Sequence, residues 1–306
     1  MKKLSCLLLI LLFVLPFTGC GAENAPVTVV ATFYPVYILA ENVLDGVSGV
    51  NLASMTPPST GCLHDYQLLT GDMRTLSGAS ALIINGAGME DSFLPTVLSR
   101  FPGLRVVDCS QGVELIAEEE DEDHEEHEDH HHHDHGDVNA HIWLAPQNAI
   151  QMVENIRAAM AELLPGQAEK INANAAAYTE RLAALDAELA AAIAPLPRKT
   201  IVTFHEAFPY FAKAYGLEVA AVVTVEPDAP LSARRLAEVI DQVRAAGSPP
   251  LFSEPLYGNT AVTTIARETG AEVYELDPLV SGDGALTAYE DVMRGNLHVL
   301  LEALGE

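Results

Sequence analysis

Beyond residue 19 this sequence has no apolar run long enough to cross a bilayer, so its body is expected to lie in water. Basic residues are the second scarcity. Against 43 Asp and Glu there are 16 Lys and Arg, a formal net charge of −27. A surface this acidic argues against nucleic acid and anionic lipid headgroups as ligands, and it suits the attraction of cations. The imbalance is steepest from Glu118 to Asp137, where 12 acidic residues and 7 histidines occur with no Lys or Arg. Without that tract the charge is still −15, so the remainder is acidic in its own right. Outside that tract there is no His-Glu-x-x-His run, the obvious sequence mark of a zinc hydrolase.

The tract itself, DEDHEEHEDHHHHDHGD from Asp121 to Asp137, consists of imidazoles and carboxylates that bind divalent transition metals but cannot build a packed core. It reads as a loose metal-collecting loop carrying His124, His127, His130, His131, His132, His133 and His135. A solvated acidic linker is the plainer alternative. Only His64, His141, His205 and His298 lie outside it, so a site of fixed geometry must draw on these.

At the N-terminus Lys2 and Lys3 precede an apolar run from Leu4 to Phe17, then Thr18-Gly19-Cys20. The run is short for a membrane span and has the layout of a secretory signal covering residues 1–19. Small residues directly before Cys20 resemble the bacterial lipoprotein signal, in which that cysteine carries the lipid; two acyl chains suffice for stable anchoring. The expected location is the extracytoplasmic face of the bacterial cell membrane. Cys62 and Cys109 then remain. In an oxidising compartment they can form a disulfide or stay free thiols, and Cys62, two residues before His64, can also serve as a metal ligand.

Strands and helices alternate twice. Val27–Phe33, Asn51–Ser54, Ala81–Asn85 and Arg105–Asp108 read as strands in the first half, with helices near Val36–Leu44, Asp72–Gly78 and Phe93–Ser99. In the second half Thr200–Phe204, Glu218–Thr224, Leu251–Ser253 and Glu272–Leu276 are strands, with helices at Pro209–Tyr215, Ser232–Ala246 and Thr260–Thr269. Such alternation implies an α/β fold of two lobes with parallel sheets. Between them Ile171, Ala175, Tyr178, Leu182, Leu185, Leu189 and Ile193 form one apolar stripe at spacings of three and four. A helix from Gln167 to Ala194 would be about 42 Å long, a connecting strut that limits hinge motion, or else a coiled-coil dimerisation helix. The expected domains are 20–164, with 118–137 as the loop, then 165–195 as the connecting helix and 196–306.

In open parallel sheets ligands bind outside the carboxyl ends of the strands. His64 follows the turn-rich stretch after the second strand, while His205 and Asp277 directly follow later strands. His141 lies between the acidic tract and the helix that starts at Pro146. Two half-sites facing across a cleft would then offer three imidazoles and a carboxylate. Asp277 before Pro278 equally suits the start of a turn. His298, in a C-terminal helical pattern, reads as surface or core.

Leu63-His64-Asp65-Tyr66, Ala140-His141-Ile142-Trp143-Leu144-Ala145-Pro146 and Thr203-Phe204-His205-Glu206-Ala207-Phe208-Pro209 resemble the metal-binding lipoproteins of bacterial zinc/manganese ABC importers. Ile84-Asn85-Gly86-Ala87-Gly88-Met89-Glu90, Phe252-Ser253-Glu254-Pro255 and Leu276-Asp277-Pro278-Leu279 extend the resemblance over nearly the whole mature chain. It implies two α/β lobes joined by one long helix, metal bound in the cleft, ligands at His64, His141 and His205, and Asp277 as candidate for the fourth position. It also implies a monomer partnered by an ABC permease and its ATPase. Leu63 stands where some zinc members have an acidic residue, which leaves Asp277 or water for the fourth place.

Imidazole suits zinc, and three nitrogens with at most one oxygen make a zinc environment, whereas manganese prefers more oxygen donors. The expected cargo is Zn²⁺, captured for import rather than used in catalysis. Manganese binding within the same family, a secreted three-histidine zinc hydrolase with Glu206 as base, and a surface metal buffer or adhesin are the rival readings.

Overall fold

In the computed structural model, which describes residues 26–64, 66–117, 138–223, 231–255 and 260–305, short β-branched runs form two sheets of one design. The expected signal segment, Cys20 and the His-rich tract lie outside the described residues. In the first half β1 (Val27–Ala31) leads to α1 (Tyr34–Leu44), β2 (Val50–Ser54), α2 (Thr70–Leu76), β3 (Ala81–Ile84), α3 (Leu94–Arg100) and β4 (Arg105–Asp108). The strand order is β2-β1-β3-β4, all parallel, with Val27 opposite Val50 and Val29 opposite Ala81.

A one-turn 3-10 segment, Ile142–Leu144, then introduces α4 (Pro146–Leu163) and the long α5 (Ala168–Ile193). The second half runs β5 (Thr200–Thr203), α6 (Pro209–Tyr215), β6 (Glu218–Val222), α7 (Ala233–Ala245), β7 (Leu251–Ser253), α8 (Thr260–Thr269), β8 (Val273–Glu275) and α9 (Ala288–Leu304). Its strand order, β6-β5-β7-β8, repeats the first sheet's and is again parallel. Prolines mark the helix starts: α1, α3, α4 and α6 each carry one in the first turn, where the missing N–H costs no hydrogen bond. Ser232 caps α7 by accepting from Arg235 N at 3.1 Å.

The stripe on α5 explains its place. Ile171, Ala175, Tyr178, Leu182, Leu185, Leu189 and Ile193 have no exposed surface, and the helix packs against α4, α1 and α9. Burying each large aliphatic side chain is worth about 1.5–3 kcal/mol. Twenty-six residues make a rod about 39 Å long. Arg181 fastens it from the side, donating to Glu290 at 2.7 Å and to Asn42 while stacking on the Tyr178 ring at 4.7 Å. The stripe is therefore spent inside the chain, against helices from both halves.

The alternation of β5 and β7 divides the second half between two cores. Ile201 and Phe252 join the large core shared with the first half, whereas Val202 and Leu251 face a smaller one with α7 and α8. Around the cleft the halves are laced by hydrogen bonds. Trp143 Nε1 donates to Pro278 O (2.9 Å), Tyr289 OH to Trp143 O (2.7 Å), and Tyr210 OH to Asn139 O (2.8 Å). Asn139 Nδ2 also reaches Glu206 O at 2.8 Å. These ties cross where the carboxyl ends of both sheets meet.

Candidate metal centre

His141 is held by its own loop. Asn139 Oδ1 accepts from His141 N at 3.0 Å and lies 3.3 Å from Nδ1, which fixes Nδ1 as the protonated nitrogen and turns Nε2 into the cleft. The ring is fully buried beside Trp143, with ring centroids 5.2 Å apart. Burial first, then the neighbouring His205 and His64, keep its pKa well below the ordinary histidine value, so it stays neutral and able to bind metal. The preceding residue is fixed too, because Asn85 Nδ2 donates to Ala140 O at 2.8 Å.

Asn85 is positioned in turn by Glu90. The Glu90 carboxylate accepts from Asn85 N and Thr32 Oγ1, both at 2.8 Å, and from Gly86 N at 3.1 Å. Gly86 has φ +77, and a Cβ there would collide with the Asp108 carboxylate, so glycine is required. Burial raises the Glu90 carboxyl to about 7 despite these three donors.

His205, directly after β5, comes from the opposite side. Its Nδ1 lies 3.1 and 3.2 Å from the two oxygens of Glu254, which follows the neighbouring strand β7. That carboxylate orients the ring and leaves Nε2 for a ligand. Burial works to lower the pKa of His205, but the Glu254 hydrogen bond and charge, with Glu206 adding, outweigh it and push the value up.

The rings converge. His64 Nε2 is 3.4 Å from His141 Nε2, the separation of about 3.4 Å expected for two imidazole nitrogens on one tetrahedral zinc. Ring centroids are 5.0 Å apart for His64 and His141, 4.6 Å for His141 and His205, and 6.5 Å for His64 and His205. Two overlapping groups have ligand atoms within 4.8 Å of one another: Cys62, His141 and His205, and His64, His205 and Glu206.

A family model for the zinc-uptake complex component A, periplasmic (ZnuA), matches residues 29–303. The chain belongs to that family. Zinc-binding protein AdcA of Streptococcus pyogenes serotype M3 is 32% identical over 290 residues, covering 90% of this chain and 55% of AdcA. The chain thus spans little more than half the length of that curated relative. Among solved structures, FpvC from Pseudomonas aeruginosa in complex with Mn²⁺ has a TM-score of 0.77 at 28% identity, covering 91% of this chain and 98% of FpvC. Zn(II)-bound AdcA from Streptococcus pneumoniae gives 0.75 at 28%, covering 92% of this chain and 58% of that one.

Asp277, the expected candidate for the fourth position, falls in neither cluster. Its Oδ1 accepts from Leu279 N at 2.7 Å, while Asn296 brackets its backbone with bonds to N and O, both 2.8 Å. The Asp-Pro step starts a turn, and Leu279 beyond it sits at φ 60, so one oxygen of the carboxylate serves its own loop. The disulfide between Cys62 and Cys109 is also not formed. Both are free: Cys109 is buried behind β4 with its amide on Ile84 O, while Cys62 Sγ lies 3.5 Å from His141 Nε2. His298 is exposed on α9, outside both clusters. Cys20 and the tract histidines lie outside the described residues.

Sequence reasoning passed over Glu254 and Asn139 as the partners that orient His205 and His141. Glu254 becomes the partner of His205 only through the adjacency of β5 and β7 in the sheet.

Proposed function

We propose that this chain is the extracytoplasmic zinc-capturing component of an ABC-type importer. A lipid on Cys20 holds it at the cell membrane, where it hands Zn²⁺ to a permease driven by a cytoplasmic ATPase. It works as a monomer and performs no catalysis. The observation that carries this reading is the meeting of His64, His141 and His205 at the carboxyl ends of two sheets, with His64 and His141 nitrogens at the spacing of a shared ion. The two nitrogens already assigned to Asn139 and Glu254 leave imidazole lone pairs directed into the cleft.

The connecting helix and the hydrogen bonds laced across the cleft oppose wide domain opening, so release proceeds through loop movement around the three histidines. The tract histidines, His124 through His135, raise local zinc near the cleft with weak, multiple sites. Glu206, whose carboxylate lies 4.0 Å from His205 Nε2, is the residue a hydrolase reading would use as base. A capture protein needs it only near the mouth.

Titration of metal-stripped protein with zinc and manganese, beside a variant lacking residues 118–137, tests the reading. One tight zinc that survives the deletion and resists excess manganese is the expected result. Loss of tight binding with the tract, or preference for manganese, overturns it.

A further inference from the structure

We propose that Tyr66, clasped by Asp72, is a positioning residue for His64, and that this clasp sets how long the captured ion stays bound. The inference rests on the metal-capture reading above and adds to it the device that holds the most exposed of the three histidines. His141 and His205 are buried, whereas His64 is partly exposed. It sits in a turn on the long connection between β2 and α2, closed by Tyr66 N donating to Leu63 O at 3.0 Å. On one flank Leu63 has no exposed surface and roots the turn in the large core. On the other flank the Tyr66 hydroxyl donates to Asp72 Oδ2 at 2.8 Å, and its ring meets Phe93 edge-on with centroids 5.9 Å apart. Fixing both flanks fixes the residue between them, and a binding constellation must be held to within about 0.5 Å of its productive geometry.

Asp72 is a buried carboxylate in the first turn of α2. Its Oδ2 also accepts from Leu69 N at 2.7 Å, which already satisfies a backbone donor at the helix start. The Tyr66 hydroxyl adds nothing that the helix needs. What it fastens is the turn that carries His64, and a carboxylate acceptor makes that fastening stronger than a neutral one.

The second contact of Tyr66 ties the two N-terminal ligands together. Phe93 and Ser92 end the segment 85–93, in which Phe93 N donates to Glu90 O at 3.1 Å and Ser92 Oγ donates to Tyr66 O at 3.4 Å. Asn85, at the other end of that segment, donates to Ala140 O at 2.8 Å and so sets His141. One short segment thus seats the His64 turn at one end and the His141 loop at the other. The 3.4 Å spacing between the two Nε2 atoms is the product of these two seats. Loosening one of them leaves capture possible, since all three imidazoles remain, but lets His64 swing from the ion more often. The loss then falls on dissociation, where most affinity differences between related complexes reside.

The test uses the full chain, stripped of metal and loaded with one equivalent of zinc, in wild type, Y66F and D72N. Y66F deletes the hydroxyl alone and keeps the ring on Phe93. Stopped-flow transfer of zinc to excess chelator measures dissociation, and amide exchange of the loaded protein locates the loosening. Y66F is expected to keep one tight zinc and an unchanged association rate, but to lose zinc about tenfold faster. Its exchange should quicken in residues 55–69 while β1 and β3 stay protected. D72N keeps an acceptor oxygen without the charge, and should lose zinc at least about threefold faster with the same local pattern. Dissociation of Y66F within about threefold of wild type overturns the proposal. So does exchange that quickens equally in β1 and β3, the mark of a residue that only stabilises the lobe. Should Y66F fail to fold, D72N decides: a wild-type dissociation rate or a general loosening overturns the clasp. A wild type that holds no single tight zinc overturns the capture reading instead.

Discussion

On the N-terminal side of the cleft, β1 and β3 belong to one continuous core with α1, α4, α5 and α9; on the C-terminal side, half of the sheet's apolar residues face a smaller core with α7 and α8. The strand order is the same in both sheets. What differs is the support beneath the ligands. His141 rests on a buried relay running from Glu90 through Asn85 to Ala140, with Asn139 on its ring. His205 is steered by one carboxylate on a neighbouring strand end. A repeated fold thus yields one fixed half-site and one more simply braced, which is where adjustment on binding and release is expected to concentrate.

Removing the ligand at the centre of the fixed half should have the largest effect. His141→Ala takes away the nitrogen that both His64 and Cys62 approach. We expect zinc affinity to fall by more than the roughly 10–100-fold seen when a ligand's hydrogen-bond partner is lost. Chelator competition would measure it, and a loss under tenfold would contradict the central place given to His141.

The unequal cores predict unequal consequences for similar truncations. Leu185→Ala on α5 and Ile265→Ala on α8 each delete a fully buried aliphatic side chain, at a cost of about 2–5 kcal/mol. Leu185→Ala should lower the stability of the whole chain. Ile265→Ala should speed amide exchange in β5 and β7 while β1 and β3 stay protected. Equal deprotection of both sheets would show that the two cores unfold as one.

Much of this architecture is readable from the chain because apolar spacing and turn chemistry are local. The stripe from Ile171 to Ile193 gives α5 to within a residue at either end, and the prolines at 146 and 209 mark two helix starts. The histidines stand out for the same reason, each in a short motif after a strand or before a helix. Partnership is less legible. Glu254 meets His205 only because β5 and β7 are adjacent in a sheet whose order departs from sequence order, and nothing local encodes that. Asp277 shows the converse: a strand-end carboxylate reads equally as ligand or turn residue, and the bond to Leu279 N shows its use in the turn. Cys62 and Cys109 invite pairing by compartment and number alone, whereas the fold sends one to the cleft and the other behind β4.

The relay on the fixed side has a signature in pH. Buried Glu90 titrates at about 7 in the folded chain, against 4.5 as its ordinary value. The folded state therefore holds a proton that the unfolded chain releases earlier. Its stabilising contribution is complete below about pH 4.5 and is lost as pH rises through 7, on the order of 3 kcal/mol at 1.36 kcal/mol per unit. Glu90→Gln cannot ionise and should flatten this part of the profile. Urea denaturation from pH 5 to 8 would compare the two; a wild type that gains stability over that window relative to Glu90→Gln would reverse the sign and refute the assignment.

The smallest effect should come from the simpler brace. Glu254→Gln preserves shape and leaves an amide oxygen able to accept from His205 Nδ1, but it removes the charge that offsets burial of the ring. Zinc affinity is expected to drop about 10–100-fold, with the metal count still one and folding stability little changed. His205 becomes a weaker donor, since its basicity is supported by that carboxylate. Asn139→Ala on the opposite side removes an acceptor from His141 and also cuts the bond to Glu206 O, so it should cost affinity and lobe docking together. If Glu254→Gln instead unfolds the C-terminal sheet, Glu254 is a structural element of that lobe, and the contrast between a fixed and a simply braced half-site fails.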